Sequence, residues 1–204
     1  IYSTDGVNWE RSADDPQSTG SRWNSESVAV ELSDGRLRFF ARNNYTRRLS
    51  YFDYMPGSGG LSDGTWKAQT VTDVVTNSNC QISAIKYSRT SEGKDVLLIS
   101  CPTGPNENGS DQSSGSQRLN GKIFVARVNE DSDQTLEWVD EAKIDVSGVV
   151  NDGVPFMYSA LTEIVKAGGG CQPGDIAILY EMNEAGWGAG PGKYYEMHFQ
   201  THSL

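Results

Sequence analysis

The pair Asp34-Gly35 stands between two short runs of strand-like residues and limits what the surrounding chain can form. The first run, Ser27–Leu32, carries an apolar side chain at every second position, and the second run, Leu37–Arg42, follows the pair at once. An Asp-Gly pair between two such runs is a strong signal for a β-hairpin. We therefore expect two antiparallel strands joined at this point.

The hairpin brings two charged residues to its open end. If Asp34 and Gly35 are the two turn residues, Ser27 pairs with Arg42, and Glu26 lies one position further along. Glu26 and Arg42 are then diagonal neighbours. Pairing alone leaves two readings open, an ordinary surface ion pair and part of a functional site.

Strand-like runs recur along the rest of the chain, while helical periodicity is poor throughout. These runs are Gln81–Tyr87, Val96–Ser100, Lys122–Val128, Met157–Ile164, Ile176–Tyr180 and Tyr194–Phe199. Loops rich in Gly, Ser, Asn or Pro are expected between them, at Asp14–Gly20, Pro56–Gly64 and Pro102–Gln117. The pattern predicts an all-β fold of repeated small antiparallel sheets.

The N-terminal segment Ser3–Trp9 reads as a short turn. Ser3 and Asp5 can accept hydrogen bonds from nearby main-chain amides, and Gly6 allows a positive φ. Trp9 can then pack beneath the turn. Ser62–Trp66 is a weaker copy of the same pattern.

Composition excludes several classes of function. The 17 basic and 27 acidic residues give a net charge of −10, which disfavours nucleic acid and anionic membranes as partners. No apolar run is long enough to span a membrane. His198 and His202 are expected at a strand end, where their spacing carries no metal-site meaning, and we expect neither a metal nor another cofactor.

The three cysteines, Cys80, Cys101 and Cys171, match no zinc-binding spacing. Cys80 and Cys101 lie in or beside apolar segments. Because a free cysteine behaves as a small apolar residue, we expect both to be buried thiols.

Two further residues lie at the beginnings of strand-like runs. Arg118 lies shortly before the run Lys122–Val128, and Tyr158 lies at the start of the run Met157–Ile164. In a β-propeller the strands radiate from a central axis, so side chains at such strand ends can converge. Glu26, Arg42, Arg118 and Tyr158 are therefore candidates for one site.

These segments together resemble the bacterial-type exo-α-sialidases, also called neuraminidases. The segment Asn24–Leu37, with Phe40–Asn43 after it, resembles the part of that family that carries a glutamate and the second arginine of a triad. Arg118–Gly121 resembles the part that carries the third arginine. Tyr158–Ile164, with Ile178–Glu181 after it, resembles the part that carries a tyrosine nucleophile. The resemblance runs from Ser3 to about Phe199, and Ser3–Trp9 resembles the Asp box, a turn that recurs in sialidase-type propellers.

The resemblance implies a role for each residue. Tyr158 is expected to be the nucleophile and Glu26 its general base, with Arg42 and Arg118 binding the substrate carboxylate. Sialidases are an exception among retaining glycosidases in attacking with tyrosine, and a carboxylate nucleophile would be repelled by the carboxylate of sialic acid. Glu31 and Glu163 are alternative partners of Tyr158, although strand alternation places Glu31 on the face opposite Val28.

The resemblance also implies a six-bladed propeller, of which residues 1–204 would be roughly the C-terminal half of the catalytic domain. The family has a first triad arginine and an aspartate acid/base, and we find neither motif in this sequence. We expect a second chain, the N-terminal part of the same precursor, to complete the propeller. Because terminal sialic acids lie on secreted and cell-surface glycans, a secreted or cell-surface location is expected.

Three functions remain open at this point. The first is hydrolysis of a terminal sialic acid with retention, or its variant, transfer to another sugar or within the substrate. The second is a sialic-acid-binding lectin, an inactive propeller. The third is a scaffold or receptor propeller, for which the four ordered residues would be a coincidence.

Overall fold

A computed structural model describes residues 1–11, 24–43, 48–76, 80–103, 118–130, 135–139, 144–146, 156–182 and 196–203. Within these ranges the chain forms strands and turns without a helix, so the all-β prediction is confirmed. No helix able to cross a bilayer therefore occurs in the described ranges. The expected loop Asp14–Gly20 and residues 104–117 of the loop Pro102–Gln117 lie outside the described residues.

The described residues form three antiparallel sheets that follow one another along the chain. The first sheet has the order β1-β2-β3-β4, and a fifth strand, β5, also pairs with β3. Its strands are β1 (Asn24–Glu31), β2 (Leu37–Asn43), β3 (Arg48–Gly57), β4 (Gly60–Trp66) and β5 (Thr70–Thr76).

The second sheet has the order β10-β8-β7-β6, with β9 paired to β8, and the third has the order β11-β12-β13. The strands of the second sheet are β6 (Ser83–Ser91), β7 (Lys94–Pro102), β8 (Gly121–Val128), β9 (Leu136–Trp138) and β10 (Ile144–Asp145). Those of the third are β11 (Ser159–Glu163), β12 (Ile176–Met182) and β13 (Glu196–His202).

The second sheet is buried on both faces, which explains the composition of β7. Leu97, Ile99 and Cys101 pack in a core shared with the first sheet. Val96 and Leu98, at the alternate positions, pack in a second core shared with the third sheet. A strand between two cores reads as a continuous apolar run because successive side chains point to opposite faces.

The edge strands β1, β6 and β11 face one another and run in the same direction. Beyond the end of β1, the Ser33 amide donates to Asp95 at 2.7 Å, near the start of β7. At the end of β11, Glu163 accepts the Ser88 amide at 2.8 Å, late in β6. These contacts join the far ends of the sheets, so β1, β6 and β11 begin together at the opposite end, which we call the site end.

The hairpin at Asp34-Gly35 is confirmed, but its predicted register is wrong. Leu32 and Arg36 close a loop of three residues, with the Leu32 amide 2.8 Å from the Arg36 carbonyl oxygen. Gly35 takes a φ of 83°, the left-handed position of a three-residue hairpin loop. The extra loop residue shifts the pairing by one position, so Glu31 pairs with Leu37.

Two other local predictions are wrong. Pro56–Gly64 is not a loop, because β3 extends to Gly57 and β4 begins at Gly60, which leaves a two-residue turn. For the same reason Ser62–Trp66 lies within a strand. The Asp63 carboxylate accepts the Gly59 amide at 2.9 Å and stabilises this tight turn.

The N-terminal turn is present with its expected hydrogen bonds. The Asp5 carboxylate accepts the amides of Asn8 at 2.8 Å and Val7 at 2.9 Å. These bonds hold the pKa of Asp5 far below its ordinary value. Trp9, however, is 62% exposed, so the expected packing of its ring beneath the turn is wrong.

Candidate active site

Glu26 projects from an irregularity near the start of β1. Ser25 pairs with Arg42 and Ser27 pairs with Ala41, so Glu26 is an extra residue between them, a β-bulge. Its φ of 21° is unusual for a residue that is not glycine. A bulge re-aims the side chain it carries, and here it directs the Glu26 carboxylate toward the other two sheets.

Tyr158 meets this carboxylate from the third sheet. Its hydroxyl donates to Oε1 of Glu26 at 3.0 Å, across 132 residues of sequence. Tyr158 immediately precedes β11, and Glu26 lies near the start of β1, so both side chains are at the site end. The hydroxyl and the carboxylate are within the distance needed for direct proton transfer.

Arg42 binds the other oxygen of the same carboxylate. Its Nη1 lies 2.8 Å from Oε2 of Glu26, as expected for a charge-assisted hydrogen bond. Because β2 runs antiparallel to β1, the end of β2 lies beside the start of β1. The Arg42 side chain is 16% exposed and that of Glu26 is 35% exposed, so the pair is shielded but still reachable from solvent.

Arg118 lies beside Tyr158 on the other flank. Its guanidinium carbon is 5.3 Å from the centre of the Tyr158 ring, within the range of a cation–π contact. The backbone fixes this neighbourhood, since the Phe156 amide donates to the Arg118 carbonyl oxygen at 2.8 Å. The structure thus brings all four predicted residues together.

The charges around Glu26 favour its ionised form. Partial burial by itself raises the pKa of Glu26, but the hydrogen bonds from Arg42 and Tyr158 and the positive charges of Arg42 and Arg118 outweigh it. The net pKa of Glu26 is therefore below its ordinary value. In the same way the nearby Glu26 carboxylate raises the pKa of Arg42, against the effect of its partial burial.

This arrangement places a proton acceptor against a phenol and two cations around them. A carboxylate can take the phenolic proton as the phenol attacks an electrophilic carbon. Two guanidinium groups can bind an anionic group next to that carbon. The site is therefore suited to an anionic substrate.

No protein-family model matches the sequence. Two curated proteins do. Anhydrosialidase of Macrobdella decora is 26% identical over 195 residues, which cover 91% of this chain and 21% of the relative. Sialidase B of Streptococcus pneumoniae serotype 4 is 29% identical over 172 residues, covering 79% of this chain and 19% of the relative. Over most of its length the chain is therefore similar to sialidases.

A solved structure of a sialidase supports the architecture. The leech intramolecular trans-sialidase complexed with 2,7-anhydro-Neu5Ac matches 97% of this chain and 26% of its own, with a TM-score of 0.69 and 22% identity. The three sheets are therefore part of a sialidase-type β-propeller. The chain spans about a fifth of the length of the curated sialidases that it matches. Sialidases are glycoside hydrolases.

The two alternative glutamates lie away from the site. Glu163 accepts the Ser88 amide and hydroxyl at the far end of the sheets. Glu31 is exposed near the end of β1, also far from Tyr158. In the structure, Glu26 is therefore the glutamate that accepts the Tyr158 hydroxyl.

The cysteines have environments that disfavour nucleophilic chemistry. Cys80 and Cys101 are buried thiols, as predicted, and Cys171 is a partly buried thiol; none of the three forms a disulfide. Burial raises the pKa of Cys80 to about 11, although the charges of Arg118 and Arg42 oppose it. Burial also raises the pKa of Cys101. Both thiols are therefore protonated near neutral pH, and a thiol is a poor nucleophile.

The described residues contain no cluster of three or more His, Cys, Asp or Glu side chains arranged for a metal ion. Both histidines lie in β13, where the ring of His198 stacks on Tyr180 at 5.5 Å.

Sequence reasoning missed several polar residues that support the site. Gln81 accepts the amide of Ser159, next to Tyr158, at 3.2 Å. The hydroxyls of Ser100 and Ser159 lie 2.7 Å apart in the interior. The contact of Gln81 with β11 depends on the packing of two sheets, which the order of residues along the chain does not reveal.

Proposed function

We propose that this polypeptide forms part of an exo-α-sialidase that removes terminal sialic acid from glycoconjugates with retention of configuration. The observation that carries the proposal is the hydrogen bond of 3.0 Å from Tyr158 to Glu26, made between the first and third sheets. A lectin would need the two arginines but no nucleophile paired with a base.

In the proposed reaction Tyr158 attacks the anomeric carbon of the sialoside. The C–O bond to the leaving sugar breaks as the Tyr158 oxygen bonds to that carbon, and the phenolic proton passes to Glu26. The leaving oxygen takes a proton from an acid, which the family resemblance assigns to an aspartate outside this segment. Water then releases sialic acid from the tyrosyl intermediate, and Glu26 returns the proton to Tyr158.

Arg42 and Arg118 are assigned to the substrate carboxylate. Their guanidinium groups flank the Tyr158–Glu26 pair, and the sialic acid carboxylate is attached to the carbon that Tyr158 attacks. A phenol is neutral before the attack, so it approaches this anionic centre without the repulsion that a carboxylate would meet.

We also propose that residues 1–204 are roughly the C-terminal half of a six-bladed catalytic propeller, completed by further polypeptide, for which a second chain from the same precursor is one source. One supporting observation is the outward face of the third sheet, where Leu179, Met197 and Phe199 are 41%, 58% and 65% exposed. Exposed apolar residues grouped in this way favour a neighbouring sheet. A sialylated substrate also favours a secreted or cell-surface enzyme.

Intramolecular transfer is a second candidate. One curated relative is named an anhydrosialidase, and a leech structure of similar fold is an intramolecular trans-sialidase complexed with 2,7-anhydro-Neu5Ac. In this variant a hydroxyl of the bound sugar, rather than water, would resolve the tyrosyl intermediate. Chromatography of the product distinguishes free sialic acid from an anhydro sugar.

The test of the proposed function is release of fluorophore from a fluorogenic α-sialoside by the protein as isolated, with any co-purifying polypeptide retained. Tyr158→Phe should nearly abolish turnover. Tyr2→Phe is a matched control, because Tyr2 also donates to a glutamate, Glu10, but lies outside the site. A completed propeller that binds sialosides and releases no fluorophore would support the lectin instead.

A further inference from the structure

The start of β11 is held by side chains of the second sheet. The Ser159 amide donates to Oε1 of Gln81 at 3.2 Å, and the Leu161 amide donates to Oγ of Ser83 at 3.0 Å. Ser159 immediately follows Tyr158 in the chain. These contacts therefore act on the backbone that carries the Tyr158 side chain.

The spacing of these contacts follows from strand geometry. β11 is the edge strand of the third sheet, so every second amide points away from its partner β12. Ser159 and Leu161 are two residues apart, as are their acceptors Gln81 and Ser83. The two side chains thus take the place of a neighbouring strand along the free edge of β11.

A buried hydroxyl pair fixes the same point from the interior. Oγ of Ser100 and Oγ of Ser159 lie 2.7 Å apart, and the two residues are 0% and 6% exposed. A buried hydroxyl that loses its partner is costly, so each serine holds the other in place. Ser159 is therefore tied to the second sheet through both its amide and its hydroxyl.

Tyr158 is held on its other side by β12. The Glu181 amide donates to the Tyr158 carbonyl oxygen at 2.9 Å, and the Glu181 carbonyl accepts the Met157 amide at 2.9 Å. In extended backbone, consecutive side chains point to opposite sides. Holding the Ser159 side chain inward thus directs the Tyr158 ring outward, toward Glu26.

We infer that Gln81, Ser100 and Ser159 are positioning residues that set the distance between the Tyr158 hydroxyl and Glu26. The inference rests on the proposed function, since it assigns to these residues the alignment of the proposed nucleophile. A misplacement of about 1 Å can lower the rate of a chemical step by about a hundredfold. Gln81, Ser100 and Ser159 form a clamp that restrains such displacement.

The kinetic test compares Gln81→Leu, which removes the acceptor oxygen, with Gln81→Glu, which keeps one. We expect Gln81→Leu to lower kcat at least about tenfold while KM changes little, because the lost alignment affects the chemical step. Gln81→Glu should recover most of the loss. Ser100→Ala and Ser159→Ala should each lower kcat, and the double variant should lose less than the product of the two single losses.

The matched control is Ser91→Ala. Ser91 accepts a hydrogen bond from Arg127 at 2.9 Å in the second sheet, at the end opposite the site. Ser91→Ala should leave kcat unchanged. Rates are expressed per folded molecule, so that lost stability is not counted as lost alignment. If Gln81→Leu and Ser159→Ala lower the melting temperature but keep kcat within twofold of the parent, the residues are structural and the inference is wrong.

A second readout does not depend on turnover. In protein labelled at the ζ-carbon of tyrosine, the Tyr158 resonance is assigned by its loss in Tyr158→Phe. Glu26→Gln should shift this resonance in the parent and shift it much less in a Gln81→Leu background. Equal shifts in both backgrounds would reject the clamp. If the parent protein shows no turnover but the resonance shifts differ between the two backgrounds, the proposed hydrolase function is wrong and the clamp is supported.

Discussion

Arg42 binds one carboxylate oxygen of Glu26 at 2.8 Å and so fixes the orientation of that carboxylate. The second oxygen then accepts the Tyr158 hydroxyl at 3.0 Å. One carboxylate thus links an arginine of the first sheet to a tyrosine of the third. Changes at Glu26 should therefore affect chemistry more than substrate binding.

Glu26→Gln should lower kcat by about a hundredfold or more, with little change in KM. Glutamine keeps the shape and an acceptor oxygen but cannot take the phenolic proton, and general base catalysis contributes about 10²–10⁴-fold. Steady-state kinetics with the fluorogenic sialoside measure the effect. Glu31→Gln, an exposed glutamate on the same strand, should behave as the parent. A loss below about fivefold in Glu26→Gln would assign the base to another group.

The lowered pKa of Glu26 should extend activity toward acid. The base works only when it is ionised, so the acid limb of kcat/KM should have its midpoint below the pKa of an ordinary glutamate. Arg42→Gln removes a hydrogen bond and a positive charge that lower this pKa, so the midpoint should move to higher pH. An acid limb that stays in place in Arg42→Gln would mean that another group controls it.

The same shift links Glu26 to stability. Because the pKa is lower in the folded state, the ionised carboxylate stabilises the fold above the ordinary pKa, and this contribution is lost as pH falls through the folded pKa. The difference in unfolding free energy between the parent and Glu26→Gln should therefore shrink below about pH 4. Urea denaturation from pH 3 to pH 7 checks the direction.

The sequence was sufficient to predict the fold class, because that class depends on repeated local patterns. The four candidate site residues came from the resemblance of ordered segments to a known family, and the structure brings them together. β7 was recognisable as a run of apolar residues, and the hairpin at Asp34-Gly35 by its turn. The pairing of Glu26 was not predictable in detail. A three-residue loop and a bulge each shift the register by one position, and neither has a reliable pattern in one sequence.

Contacts between sheets were the least predictable. Gln81 and Ser100 touch β11 only because the second and third sheets pack together, and no periodicity marks a polar side chain that replaces a strand partner. Pro56–Gly64 shows the opposite error. Its glycines and proline favoured a loop, whereas Asp63 stabilises a turn of two residues between two strands.

Asp95→Asn should destabilise the contact between the first and second sheets. Asp95 accepts both the amide and the hydroxyl of Ser33, and Lys86 lies 3.7 Å from its carboxylate. Asparagine offers a single acceptor oxygen, so one donor of Ser33 loses its partner. We expect a loss of about 1–2 kcal/mol in unfolding free energy, measured by urea denaturation. Glu31→Gln, the control, should change the unfolding free energy by less than about 0.5 kcal/mol. If Asp95→Asn and Glu31→Gln have equal effects, the loss of a negative charge accounts for both and the contact with Ser33 does not stabilise the fold.

Gly121→Ala should reduce both stability and turnover, because this glycine makes room for the ring that lies two residues before Tyr158. A Cβ at position 121 would lie 2.0 Å from Cδ2 and 2.2 Å from Cγ of Phe156. Phe156 is fully buried and stacked on Tyr180 at 4.9 Å, so the ring can move only by displacing its neighbours or its own backbone. Overpacking of this kind costs about 1–3 kcal/mol, and a shifted Phe156 backbone would also misalign Tyr158. Gly168→Ala is the control, since nothing lies within 4 Å of the added carbon there. The unfolding free energy measured by urea denaturation and kcat per folded molecule should both fall in Gly121→Ala, and neither should fall in Gly168→Ala. A stable Gly121→Ala variant with normal turnover would mean that the Phe156 ring does not restrain Tyr158.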